Sequence, residues 1–313
     1  PYDWSSFVNP SYTPLTDANF QTAVNLWFDN QADSNATYGH ISDWNTSAVT
    51  DMKNAFKGRT SFNEDIGDWD VSSVTTMYGM FNGASSFNQP IGNWNVSAVT
   101  NMQAMFSNAS SFNQNIGSWN LEKVTNTSYM FGNASSFNQD IGAWSTPEVT
   151  KMRNMFYSAS SFNQNIDSWN VSSVTTMTNI FSNTPALSNT NKGLIHQSFS
   201  SNSNWPYDWR EFVVLDNSNF QTAVNLWFDD QVDANATYGH ISDWNTSAVT
   251  DMSNAFKDRT SFNEDIGDWD VSNVTTFFHL FTNAVSFNQD ISDWNTSSLV
   301  NMSRCFDGAS SFN

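Results

Sequence analysis

The sequence has few of the residues that mark redox, nucleic-acid-binding or membrane-spanning proteins. It contains one cysteine among 313 residues, so no internal disulfide can form. Its 11 Lys and Arg stand against 30 Asp and Glu, and the net charge of −19 argues against contacts with nucleic acid or an anionic membrane surface. No apolar run approaches the roughly 18 residues of a membrane span. The chain starts at Pro1 with no signal peptide, so we expect a processed product or an excised fragment.

Aromatic and small polar residues are abundant instead. The chain has 14 Trp and 26 Phe, together with 43 Asn and 73 Ser and Thr, while only 13% of residues are charged. A disordered acidic chain would hold few aromatic residues. The composition therefore predicts a folded protein with an apolar core and a surface rich in amides and hydroxyls.

A repeat of 25 residues runs through most of the chain. Several independent positions keep this step, and such regularity predicts units that stack and bury their apolar side against each other. We expect the recurring Trp and Phe to form stacked columns in the core. In each Phe-Asn pair, such as Phe87-Asn88, we expect the Asn amide to bridge the backbones of successive repeats. The tryptophans are Trp44, Trp69, Trp94, Trp119, Trp144, Trp169, Trp244, Trp269 and Trp294.

A second, longer repeat contains the 25-residue repeats. The tetrapeptide PYDW begins at Pro1 and again at Pro206, and residues 21–76 match residues 221–276 at 50 of 56 positions. We therefore expect tandem modules, seen here through a window cut from a longer array. The predicted divisions are a cap at 1–40, six repeats at 41–190, a closing helix and linker at 191–205, a second cap at 206–240, and three repeats of a truncated module at 241–313.

Within one repeat, two patterns of apolar residues follow one another. Ile66, Trp69 and Val71 fit a short strand with one face inward, because alternate residues of a strand share a face. Met77 and Phe81 belong to a run with helical spacing, with Thr75 as its N-cap. These patterns predict an α/β solenoid in which each coil has one short parallel strand and one short helix.

The segment at 71–87, VSSVTTMYGMFNGASSF, resembles the repeats of the BspA-like leucine-rich-repeat surface proteins, a family with 25–26-residue repeats in bacteria and algae. The resemblance covers residues 41–190 and 241–313. It implies right-handed, leucine-rich-repeat-like coils on a secreted or surface-attached protein. Here Trp, Val and Phe stand where the family usually has Leu.

Helices are predicted at the ends of the modules. Residues 17–30 place Phe20, Ala23, Val24 and Trp27 on one helical stripe after a possible N-cap at Thr16, and the same helix recurs near Phe220. Residues 189–199 predict a short closing helix. We expect an apolar joint between modules in the segment after it, formed by Trp205, Pro206, Tyr207 and Trp209.

Asn-X-Ser/Thr sequons are numerous, although a chain this rich in Asn, Ser and Thr would contain about ten by chance. Those that follow the column Trp are expected to face outward and to carry glycans if a eukaryotic cell secretes the protein. The alternative is a plain polar column, since Asp70 occupies the same position in its repeat. The candidates are Asn45, Asn95, Asn108, Asn126, Asn133, Asn170, Asn245, Asn273, Asn295 and Asn301.

Other chemistry has weaker support. Asp65, Asp68 and Asp70 have the oxygen ligands that Ca²⁺ prefers, but without EF-hand spacing, and solvated carboxylates are the alternative. No catalytic motif is present, so we expect neither an enzyme nor a bound cofactor. His40 has the position of a hydrogen-bonding cap residue. Cys305 replaces a column Met, which favours a buried thiol over an intermolecular disulfide.

Two functions remain from the sequence. The first is a structural extracellular protein whose tandem modules carry N-linked glycans and line up in a fibre or surface coat, with further modules or copies of itself as partners. The second is a cell-surface adhesin that binds a carbohydrate or protein through the outward strand face. That face would consist of Asp68, Asp70, Asn93, Asn95, Ser118 and Asn120.

Overall fold

The computed structural model describes residues 12–313 and separates into two compact units. The first unit extends to Asn191 and includes residues 204–206, and the second contains residues 192–203 and 207–313. Residues 1–11 of the predicted first cap lie outside the described residues. Six repeats belong to the first unit and three to the second.

Five α-helices lie outside the repeats of the described chain. They are α1 at Phe20–Asp29, α2 at Gln31–Tyr38, α3 at Asn189–Phe199, α4 at Phe220–Asp229 and α5 at Gln231–Tyr238. Short 3-10 helices occur at Ile41–Asp43, Arg210–Phe212 and Ile241–Asp243.

The predicted cap and closing helices are confirmed, with one change at the start of α1. Phe20, Ala23, Val24 and Trp27 are its buried stripe, as the periodicity predicted. Its N-cap is Asn19 rather than Thr16, so the helix begins later than expected.

The predicted α/β solenoid is wrong, because the repeats contain no β-strand within residues 12–313. Single parallel bridges join neighbouring repeats instead, at positions such as Thr76. The stretch expected to be a strand is closed into turns at both ends. The Trp69 amide donates to the Ile66 carbonyl at 3.2 Å, and the Val74 amide donates to the Val71 carbonyl at 2.9 Å. Alternating apolar residues thus point inward from successive turns, without a sheet ladder.

The predicted helix of each repeat is also wrong, for a different reason. Residues 77–83 and their equivalents, which we call the row, send alternate amides to the next repeat; for example, Met77 N–H donates to Asn101 O at 2.9 Å. A helix needs those amides for its own i−4 carbonyls. Gly79 and Gly83 have φ of 60° and 76°, so a left-handed residue interrupts the row every fourth position. The turns retain the inward spacing of a helix without its hydrogen bonds.

The aromatic columns are confirmed. Trp44 and Trp69 are stacked with ring centroids 5.9 Å apart, and Phe81 and Phe106 are stacked at 5.5 Å. The indole nitrogen of Trp69 donates to the Ile41 carbonyl of the preceding repeat at 2.9 Å. Each large ring therefore buries its area between two repeats, and a Trp ring also satisfies its polar atom there.

Side-chain ladders join the repeats at the surface. Asn88 N–H donates to Asn63 Oδ1 at 2.8 Å, and Gln89 Nε2 donates to the Asn63 carbonyl at 2.9 Å. The predicted bridging role of the Asn amide is thus confirmed, although Asn63 is exposed rather than buried. Thr75 Oγ1 donates to the Thr50 carbonyl at 3.2 Å.

The first repeat of each unit has no earlier repeat to accept its amides, and a cap side chain replaces the missing carbonyl. Asp17 Oδ1 accepts from Thr50 N–H at 2.7 Å and from Asp51 N–H at 3.0 Å. Hydrogen bonds from Thr50, the largest effect coming from its hydroxyl, lower the pKa of Asp17. In the second unit, Asn217 Oδ1 accepts from Thr250 N–H at 2.8 Å. This role was not predictable from the sequence, because one Asp or Asn before a helix gives no sign of its distant partner.

Candidate functional site

The outward surface of the repeats carries a column of Asn and Asp side chains. Each side-chain oxygen accepts from the amide two residues later, as Asp70 Oδ1 does from Ser72 N–H at 3.0 Å. The hydroxyl and amide of Ser72 together lower the pKa of Asp70. The neighbouring Asp68, Asn93 and Ser118 are also exposed. The column consists of Asn45, Asp70, Asn95, Asn120, Asn170, Asn245, Asp270 and Asn295.

The candidate glycosylation residues divide into two groups by the state of the amide nitrogen, where a glycan would be attached. Asn126 Nδ2 donates to Gln103 Oε1 at 2.9 Å, and Asn273 Nδ2 donates to the Ser247 carbonyl at 2.9 Å. Asn108 and Asn133 also donate through Nδ2 to neighbouring side chains, and Asn301 is half-buried. The remaining candidates are exposed, with no Nδ2 hydrogen bond to the described residues: Asn45, Asn95, Asn170, Asn245 and Asn295.

Two of the three acidic residues considered for Ca²⁺, Asp65 and Asp70, accept hydrogen bonds from backbone amides two residues later. Asp65 Oδ1 accepts from Gly67 N–H at 3.0 Å, and Asp70 accepts from Ser72. Across residues 12–313, no group of three or more His, Cys, Asp or Glu side chains is placed to hold a metal ion. The described chain thus brings no third carboxylate or imidazole to these aspartates.

The residues proposed as a module joint are divided between the two units. Trp205 and Pro206 belong to the first unit, where the Trp205 ring meets Phe181 edge-on at 6.4 Å. Tyr207 and Trp209 belong to the second unit, where their rings stack at 4.6 Å.

A small cleft in the second unit was not expected from the sequence. It has a volume of about 400 Å³, and its charged pair is Asp208 and Arg210, joined through Nε–Oδ1 at 2.7 Å and Nη2–Oδ2 at 2.6 Å. Hydrogen bonding from Arg210 lowers the pKa of Asp208 to about 2. The only sign in the sequence is a difference between the two copies of PYDW. The copy that begins at Pro206 is followed by Arg-Glu, whereas the copy that begins at Pro1 is followed by Ser-Ser. The lining also includes Glu211, Tyr238, Gly239 and Asp243.

The histidine and cysteine positions have structural contacts. His40 is the N-cap of the first 3-10 helix, and its Nδ1 accepts from Ser42 N–H at 3.3 Å. The predicted hydrogen-bonding role is thus confirmed. Cys305 is a free, buried thiol, and burial raises its pKa to about 12. The thiolate that would react is therefore scarce near neutral pH.

His196 in α3 predicts a pH dependence of stability. It is buried, and its Nε2 lies 3.1 Å from the Ala236 carbonyl, which can only accept, so Nε2 carries a proton. Desolvation lowers the pKa of His196 below its usual 6.5. As the pH is lowered through 6.5, this histidine takes up a proton in the unfolded chain but not in the folded one. The free energy of unfolding should therefore decrease with falling pH until the pKa of the folded state is reached.

The test compares the urea midpoints of the wild type and of His196→Gln between pH 7.5 and pH 5. We expect the variant to lose part of the slope of midpoint against pH. An unchanged slope would show that His196 does not control this acid response.

These features define a tandem-repeat protein whose repeats are joined by backbone, amide and hydroxyl ladders. The family described as "Mycoplasma protein of unknown function, DUF285" matches residues 22–138, 114–204 and 215–313. The chain therefore belongs to that family. No curated protein and no solved structure matches it. None of the helices in residues 12–313 combines the length and the apolarity needed to cross a membrane.

Proposed function

We propose that this chain is a non-enzymatic structural protein of the cell exterior, in which tandem repeat units line up in a fibre or surface coat. The observation that carries the proposal is the use of the recurring polar side chains. Thr, Asn and Gln side chains at recurring positions of the 25-residue repeat form hydrogen bonds to the neighbouring repeat, as Gln114 Nε2 does to the Asn88 carbonyl at 2.8 Å. The hydrogen-bonding groups of these side chains therefore stabilise the stacking of one repeat on the next.

The resemblance of residues 71–87 to BspA-like repeats supports the surface location. The exposed sequons support it as well, because the amide nitrogens at Asn45, Asn95 and Asn170 make no hydrogen bond to described residues and are accessible for attachment. Peptide mapping with intact mass on material from the native source measures occupancy. We expect sugar at these positions if the producing cell is eukaryotic.

Assembly is tested by sedimentation velocity and electron microscopy of the 313-residue chain across a wide range of concentrations. We expect larger species to appear as concentration rises, and end-to-end particles to appear in images. A chain that stays monomeric throughout, at low and at high ionic strength, would contradict the structural role.

The alternative is an adhesin, favoured by the exposed Asn and Asp column and by the cleft beside Asp208 and Arg210. A glycan-array screen of the unglycosylated protein separates the two functions. Saturable binding that Arg210→Ala abolishes would favour an adhesin that uses the cleft. Array silence together with assembly would favour the structural role.

A further inference from the structure

Successive rows are joined with a fixed polarity. Row amides of one repeat donate to the carbonyls of the next, as Phe81 N–H does to Met105 O at 2.8 Å and Gly83 N–H does to Ser107 O at 2.8 Å. Every row therefore has one edge of donors and one edge of acceptors. A row with no earlier neighbour keeps its acceptor edge free for another partner.

The first row of the second unit has such an edge. In residues 12–313, no group donates a hydrogen bond to the carbonyls of Asp251, Ser253, Ala255 and Lys257. The equivalent carbonyls in later repeats each accept a row amide. Unpaired backbone acceptors at alternate residues are the feature that peptides use when they add to an edge.

Helix α4 covers the apolar columns of this repeat but leaves the edge open. Phe220 meets Trp269 edge-on at 5.7 Å, and Phe228 meets Phe256 at 6.4 Å, so the helix occupies the place of an earlier repeat core. Between α4 and the row lies a groove of two cavities, about 530 Å³ and 420 Å³, that share Gln221 and Asn254 in their linings. The space fits a single segment of chain beside the helix, whereas a whole repeat would collide with α4.

The two units differ at this groove despite their similar sequences. In the first unit, Gln21 Nε2 donates both to Asn25 Oδ1 of its own helix and to the Ala55 carbonyl, each at 3.3 Å, so it bridges helix and row. In the second unit, the matching Gln221 Nε2 donates to Asn225 Oδ1 at 3.2 Å, and the Ala255 carbonyl is not bridged. Within residues 12–313, the row of the second unit therefore keeps all four of these carbonyls unpaired, whereas the Ala55 carbonyl of the first unit is paired.

We propose that this groove binds a peptide segment in the row conformation, which donates main-chain amides at alternate residues and has an acidic side chain near one end. The row itself has φ of 62° at Asn254 and 61° at Asp258, so its edge is shaped to pair with another row rather than with a flat strand. Lys257 and Arg259 line one end of the groove together with Asp258, and the net positive charge of the three favours a carboxylate there.

A probe with these properties exists in the chain. Residues 301–309, NMSRCFDGA, form a row whose Asp307 holds the position equivalent to Lys257 and would lie beside that lysine. The probe is this nonapeptide, acetylated, amidated, labelled with fluorescein and carrying Ser in place of Cys305. We expect saturable binding to the full chain by fluorescence anisotropy, with one peptide per chain.

The groove is tested with a matched pair of variants. Gln221→Trp fills the space from an exposed helix position, and we expect at least about tenfold weaker binding. Gln21→Trp makes the same change in the first unit and should leave binding unchanged. Equal effects of the two variants, or no saturable binding to the wild type, would overturn the proposal.

The hydrogen-bond pattern is tested with methylated peptides. N-methylation at Met302, Arg304 or Phe306 removes a row donor, and we expect about tenfold weaker binding in each case. N-methylation at Ser303 or Asp307 removes an amide that bonds within the row, to Asn301 Oδ1 and to the Arg304 carbonyl, and not to the partner, so we expect a smaller loss of binding. Loss of binding with every methylated peptide would show side-chain recognition without edge pairing and would contradict the inference.

Discussion

Replacing Phe106 with alanine should lower the free energy of unfolding of the first unit by about 3–5 kcal/mol. The ring is fully buried and stacks on Phe81 at 5.5 Å, on Phe131 at 5.7 Å and on Phe112 at 3.9 Å. Alanine would leave a cavity in the middle of a column, where the repeats on both sides are held apart by their backbone hydrogen bonds. Little relaxation can therefore fill the space.

The measurement is urea unfolding, followed in wild type and variant by tryptophan fluorescence and hydrogen exchange. Exchange resolved by peptide separates the two units, and amides of the second unit serve as an internal reference. Phe278→Ala is the control, because that side chain is 37% exposed. A loss below about 1 kcal/mol for Phe106→Ala would mean that the column contributes far less than its burial implies.

Replacing Gly92 with alanine should cost about 1–3 kcal/mol through overpacking against the next repeat. A Cβ at this position would lie 2.4 Å from the Asn115 carbonyl oxygen, a backbone atom that cannot rotate away. Gly67 and Gly117 make the same close approach, at 2.6 Å each. In the sixth repeat, which is followed by α3, the position is Asp167.

Gly58→Asp is the matched control for Gly92→Ala. A Cβ on Gly58 would meet nothing within 4 Å, and Asp258 already occupies the equivalent position in the second unit with φ of 61°. We expect this change to cost about 1 kcal/mol, as a left-handed residue with a side chain does. Thermal unfolding compares the two variants. Equal losses would show that backbone conformation, rather than the approach of the Asn115 carbonyl, determines the effect.

The stacking of the repeats was predictable because it depends on side-chain identity at a fixed step. Trp69 and Phe81 recur at 25-residue intervals, and a large ring is stable in a small unit only against its equivalent in the next. The helix stripe that contains Val24 and Trp27 was predictable for the same reason, since burial follows its period.

The backbone of the row was not predictable from that pattern. Helical turns and alternating left-handed turns both place Met77 and Phe81 inward, so periodicity alone cannot distinguish them. The missing information is the sign of φ. It is visible in the sequence where glycine occurs, as at Gly79, but not at Ala104 or Tyr129, which have φ of 55° and 59° in the same column.

The surface was predictable only in part. Exposure of Asn45 and Asn95 followed from their place after the column Trp. The hydrogen bond that occupies Asn126 did not, because Gln103 is its partner only once two repeats are stacked. The groove beside α4 depends on contacts across more than 30 residues. Gln221 bonds only along its own helix, whereas Gln21 bonds along its helix and also reaches the Ala55 carbonyl.

The fixed polarity of the rows has a consequence for the history of the gene. Loss or duplication of one whole 25-residue segment inside an array would join a donor edge to an acceptor edge again, with the ring columns still aligned. Length can thus change by recombination without new compensating substitutions, while a partial segment would leave mismatched edges. Natural variants should accordingly differ by whole multiples of the repeat.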